Sequence, residues 1–139
     1  MADALMLRVK NHLAELDRMG RLLHDFGLRH ALPERTVFEL TLALDEILTN
    51  VISYAYDDAG EHEILVHVSL DGFDLRIQVE DDGRPFDPLT VPPPDTDLPL
   101  EERPIGGLGV HLVRRVSDGL EYRRESDRNV LVVSKRVAQ

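Results

Sequence analysis

Residues 64–79 read Ile-Leu-Val-His-Val-Ser-Leu-Asp-Gly-Phe-Asp-Leu-Arg-Ile-Gln-Val. Ile64, Val66, Val68 and Leu70 occupy every second position, and Phe73, Leu75, Ile77 and Val79 repeat the pattern. Side chains of a strand point alternately to opposite faces, so each run presents one apolar face. Asp71-Gly72 lies between the runs, and that dipeptide is a strong signal for a two-residue hairpin. The centre of the chain is thus an antiparallel pair of strands with one face to bury.

The cover for that face lies upstream. Leu13, Leu16, Met19, Leu22, Leu23 and Phe26 recur at intervals of three and four, which is one face of a helix, and Gly27 is the expected stop. Pro33 and Glu34 suit the first turn of a second helix. Its broad apolar stripe includes Val37, Leu40, Leu44, Ile47, Leu48 and Val51, and it should end near Tyr56. Ala4 to Val9 alternates weakly, as a short edge strand would. Downstream, a run beginning at Leu120 and a run from Val130 to Val137 form a second ribbon, turning around Ser126 to Asn129. A short helix is expected from about Gly109 to Val116. The order predicts an α+β fold: a two-layer sandwich, its mainly antiparallel mixed sheet covered on one face by helices.

The chain has 139 residues, 16 Lys+Arg against 26 Asp+Glu, and a net charge of −10. That length suits one domain spanning 1–139. No apolar run is long enough for a membrane span. No cysteine is present, which excludes disulfides and thiolate chemistry and fits a cytoplasmic protein. The acidic balance argues against direct nucleic-acid binding, which rests on Lys and Arg. A protein partner, or a nucleotide neutralised by a metal, is easier to accommodate.

Residues 83–105 differ from the rest. Seven of the eight prolines fall between Pro85 and Pro104, which forbids helix and interior strand. Loops of this length in a small domain are usually functional or disordered.

Three groups of residues can carry chemistry. Glu46 and Asn50 are four apart, so they project from one side of the second helix. A carboxylate and a carboxamide there offer oxygen ligands to a hard cation such as Mg²⁺. Asp81-Asp82-Gly83-Arg84-Pro85-Phe86 follows the second strand of the central hairpin. An Asp at a strand end can accept a hydrogen bond from a base amino group, a Gly lets the backbone turn, and Phe86 can wall a pocket. Gly106-Gly107-Leu108-Gly109 precedes the short helix, where backbone N–H groups and the helix dipole favour an anion. Taken singly, each has an ordinary reading: a polar rim on an amphipathic helix, an Asp-Gly turn, a flexible hinge.

Together and in this order, Glu46-x3-Asn50, Asp81-x-Gly83-x2-Phe86 and Gly107-x-Gly109 resemble the GHKL ATP-binding superfamily. More closely, the chain resembles the single-domain anti-sigma factor and serine-kinase branch of bacterial partner-switching systems. The resemblance spans nearly the whole chain and implies a Bergerat-type ATP-binding fold. It implies ATP and Mg²⁺ as cofactors, with Glu46 as general base and Asn50 as the Mg²⁺ ligand. Asp81 would read the adenine amino group, with Gly83 beneath the base. Gly107 and Gly109 would belong to a phosphate-covering lid at about 87–109, with Arg103 near the phosphates. It further implies a protein serine kinase and anti-sigma regulatory factor, binding a sigma factor and phosphorylating an antagonist protein, as a homodimer. The alternative is a nucleotide-gated binding module without significant kinase activity. Three departures stand out. Pro85 replaces a second Gly. Ile105 stands where some kinase members carry an Arg. Arg128-Asn129-Val130 replaces the Gly-Thr that often closes the pocket.

Overall fold

The computed structural model describes residues 3–56, 60–87 and 113–137. A first strand, β1 (Asp3–Lys10), is followed by helices α1 (Glu15–Arg29) and α2 (Glu34–Tyr54). The central hairpin is β2 (Glu63–Asp71) and β3 (Asp74–Asp81), and the closing one is β4 (Gly119–Glu125) and β5 (Arg128–Arg136). The strands form one sheet in the order β1-β2-β3-β5-β4. All four pairings are antiparallel. β3 and β5 thus lie inside the sheet, and β1 is an edge, as its weak alternation predicts.

The alternation becomes a sided sheet. Val66 on β2 pairs with Val79 on β3, which pairs with Leu131 on β5. All three are buried on the face that meets Met19, Leu23 and Phe26 of α1 and Leu44, Ile47 and Leu48 of α2. Each such side chain contributes about 1.5–3 kcal/mol when fully buried. Among the described residues the helices supply that layer, so the two-layer expectation holds.

Three local expectations shift. Gly27 does not stop α1, which runs on to Arg29. Gly27 is buried, and a Cβ there would lie 2.4 Å from Val37 Cγ2; its role is to let α1 approach the start of α2. The second helix ends at Tyr54, not Tyr56. In the central hairpin Asp71 pairs with Asp74, so the loop residues are Gly72-Phe73. Gly72 has φ +62°, the first central position of a type II′ turn. The closing hairpin turns on Ser126 and Asp127, both with positive φ. Of the expected short helix, residues 113–116 are described and are helical. The expected lid at 87–109 lies outside the described residues apart from Asp87.

Candidate functional site

Among the described residues, the buried polar side chains are Asn50, Asp81 and Asn129, exposed by 1%, 1% and 2%. Burying such groups is unfavourable unless they are hydrogen-bonded. Two of the three are residues singled out by the sequence.

Asn50 lies on the buried side of α2, one turn beyond Glu46. Glu46 is half-buried. Its Oε1 is buried with no hydrogen-bond partner among the described residues. Burial raises the Glu46 pKa, and the Asn50 side chain pulls it partly back. A carboxylate with a raised pKa and an unsatisfied oxygen is a proton acceptor in waiting. Its neighbour Asp45 is also raised, by burial and then by the charge of Asp17 on α1. Asp45 faces a groove of about 1100 Å³ between α1 and α2, whose lining does not include Glu46, Asn50 or Asp81.

Asp81 ends β3. Its Oδ1 accepts from the Gly83 N–H and from Asn129 Nδ2, both at 2.9 Å. Among the described residues Oδ2 is therefore the oxygen available to a ligand. Burial raises the Asp81 pKa most; the bonds from Asn129 and Gly83 and the charge of Arg124 lower it, and Asp82 raises it.

The loop after Asp81 is pinned to the C-terminal end of α2. The Arg84 N–H donates to the Ala55 carbonyl at 2.8 Å, and Arg84 Nε donates to the Tyr54 carbonyl at 2.7 Å. A cation at that end of a helix is favourable. The Phe86 ring lies 5.8 Å from the Tyr54 ring, centroid to centroid. Gly83 is buried, and a Cβ on it would meet the Ala55 carbonyl oxygen at 2.4 Å. The need for glycine thus comes from the backbone of α2. Through these contacts the Asp81–Phe86 loop sits at the end of the helix that carries Glu46 and Asn50. Gly107, Gly109 and Arg103 lie outside the described residues.

Asn129 is the residue that motif reasoning passed over. It is the second residue of β5, directly opposite Asp81. Beyond Asp81 it donates to the Arg84 carbonyl at 2.8 Å, and its Oδ1 accepts from the Phe86 N–H at 3.1 Å. The Tyr122 hydroxyl and Arg124 guanidinium of β4 donate to the same oxygen. The only sequence signal was that Arg128-Asn129-Val130 departs from the usual Gly-Thr.

The description "Histidine kinase-like ATPase domain" fits residues 9–135. The chain belongs to that family. Its relatives include proteins named as serine-protein kinases. It is 29% identical over 118 residues to the serine/threonine-protein kinase BtrW of Bordetella bronchiseptica, covering 84% of this chain and 82% of that one. It is 31% identical over 99 residues to the serine-protein kinase RsbW of Bacillus cereus, covering 68% of this chain and 61% of the relative. The chain thus spans less than two thirds of that relative's length. The fold is shared with a crystal structure of RsbU and RsbW domains from Mycobacterium tuberculosis, at TM-score 0.71 and 12% identity, covering 99% of this chain and 33% of that one.

Proposed function

We propose that this chain is an ATP-dependent protein serine kinase and anti-sigma regulatory factor. It binds a sigma factor and transfers phosphate from ATP to a serine of an antagonist protein. The observation that carries the chemistry is Glu46: half-buried, raised in pKa, one turn from Asn50, with an Oε1 that has no hydrogen-bond partner among the described residues. The relatives named as serine-protein kinases supply the substrate class.

In this reading the adenine amino group donates to Asp81 Oδ2, and Phe86 with Tyr54 walls the base. Asn50 supplies an oxygen of the hard type that Mg²⁺ takes. No group of three or more His, Cys, Asp or Glu able to hold a metal exists among the described residues. In this proposal Asn50 is the protein's ligand, and phosphates and water supply the rest, as Mg²⁺ usually takes them. When bound, Mg²⁺ neutralises phosphate charge. Glu46 accepts the proton of the serine hydroxyl as its oxygen bonds to the terminal phosphorus, and the bond from that phosphorus to ADP breaks. Gly107, Gly109 and Arg103 complete the phosphate side in this proposal.

A homodimer is also proposed; β1 at the sheet edge, with Met6 61% exposed, supports it. The deciding experiment incubates the protein with γ-labelled ATP, Mg²⁺ and candidate antagonists. Labelled phosphoserine on an antagonist, abolished by Glu46→Gln, is the expected result. ATP binding without transfer to any antagonist would instead favour the nucleotide-gated binding module, to which Ile105 already points.

A further inference from the structure

We propose that Asn129 is the positioning residue of the base pocket: its carboxamide clamps Asp81 Oδ1 and the 84–86 loop, so that Asp81 meets the ligand through Oδ2 as an acceptor. This deepens the ATP reading and rests on it for the identity of the ligand.

The orientation of the carboxamide follows from its partners. The Phe86 N–H and the Arg124 guanidinium can only donate, so the group facing them is the oxygen. The Arg84 carbonyl can only accept, so the group facing it is the amide nitrogen. A flipped carboxamide would set donor against donor and acceptor against acceptor. The nitrogen has two protons, and both are used, on Arg84 O and Asp81 Oδ1. Oδ1 also receives the Gly83 N–H. With two donors aimed at it, Oδ1 has no room for a proton of its own.

Asp81 therefore titrates at Oδ2. Ionised, Oδ2 accepts from an exocyclic amino group, as adenine offers. Protonated, Oδ2 donates, which suits a carbonyl such as that of guanine. Burial favours the protonated form, and Asn129 opposes it; Asp82 beside it and Arg124 on β4 are the charged groups that act on it. Asn129 thus sets the base preference through Asp81 without needing to touch the ligand.

The test uses Asn129→Asp. A carboxylate at 129 keeps an acceptor for Phe86, Tyr122 and Arg124 and removes the donors facing Asp81 and the Arg84 carbonyl. The ligand-free protein is titrated by NMR, following the Asp81 carboxyl carbon and, in wild type, the Asn129 side-chain amide protons. Wild type should show slowly exchanging amide protons that shift with the Asp81 midpoint. Asn129→Asp should move that midpoint up by about one pH unit or more, as expected for a lost donor and an added like charge. Amide protons that exchange like those of a solvated Asn and ignore Asp81 would overturn the proposal, even if the variant does not fold. An unmoved midpoint in a folded variant would do the same. Calorimetry with ATP and GTP at pH 5 and pH 8 then reads function. The variant should lose ATP affinity more at pH 5 than at pH 8, and its ATP-over-GTP preference should fall roughly tenfold. Equal loss at both pH values and for both nucleotides would mean a structural role only. Failure of the wild type to bind ATP at all would sink the ligand reading while the NMR result still decided the clamp.

Discussion

Asn50 lies one turn beyond Glu46 on α2, and the Glu46 carboxylate keeps Oε1 buried with no hydrogen-bond partner among the described residues. In the proposed mechanism that oxygen is the one that takes the proton. Glu46→Gln keeps the shape and removes the base. Phosphoryl transfer should fall by about 10²–10⁴-fold, while ATP affinity stays within a few-fold. Because burial raises the Glu46 pKa, the base is active above that raised value. Transfer should therefore rise with pH over a limb placed above the ordinary range for glutamate. A pH–rate profile in wild type, flat through the acid range, would remove Glu46 from this role.

Asp81→Asn exchanges one carboxylate oxygen for a donor. With Oδ1 held by Gly83 and Asn129, the new NH₂ group falls at Oδ2, where it meets the adenine amino group donor to donor. Titration calorimetry should show a loss of roughly 10–100-fold in ATP affinity, the range expected when a buried hydrogen bond becomes a mismatch.

The two buried glycines should respond differently to rescue. In Gly27→Ala the new methyl meets a side chain, Val37 Cγ2 at 2.4 Å; in Gly83→Ala it meets a backbone oxygen, that of Ala55, also at 2.4 Å. Each should cost about 1–3 kcal/mol. Val37→Ala should recover part of the first loss. Ala55→Gly should leave most of the second, because the carbonyl remains. Denaturant melts of the single and double variants check both cycles.

Asp45 offers a stability test. Its pKa is raised in the fold by burial and by Asp17, so the folded state holds the proton longer than the unfolded one. Stability from this group is present at low pH and is lost as pH rises from the ordinary aspartate value through the raised one. The penalty grows as pH rises towards the raised value and is complete above it. Asp45→Asn should therefore raise the melting temperature at pH 7 by roughly 1–4 °C and have little effect near pH 3. A lower melting temperature at pH 7 would contradict this.

The sheet and both long helices were legible because each obeys a single period, two for β2 and β3, three to four for α1 and α2. What escaped was set by contacts between elements. Gly27 reads as a helix stop when only its own backbone freedom is considered; the approach of Val37 decides otherwise. Glu46, Asn50 and Asp81 are singled out by spacing and order, and Asn50 and Asp81 are buried polar side chains in the fold. Asn129 is not singled out in this way, since its meaning comes from the β3–β5 register that sets it opposite Asp81. No local pattern in Arg128-Asn129-Val130 contains that register.

The hydrogen bond between Asp81 and Asn129 joins residues 48 apart in the chain. During synthesis the N-terminal part of the chain leaves the ribosome first. α1, α2, β2 and β3 are therefore all made before Asn129 exists, and until then Asp81 Oδ1 has the Gly83 N–H but lacks the donor that Asn129 supplies. β5 must arrive and close a long loop onto β3, a step slowed by the entropy of closure. A nascent chain stalled before residue 129 would carry Glu46, Asn50 and Asp81 but lack the hydrogen bonds that join Asn129 to Asp81, Arg84 and Phe86. Assembly of this end of the candidate site is thereby tied to the arrival of β5.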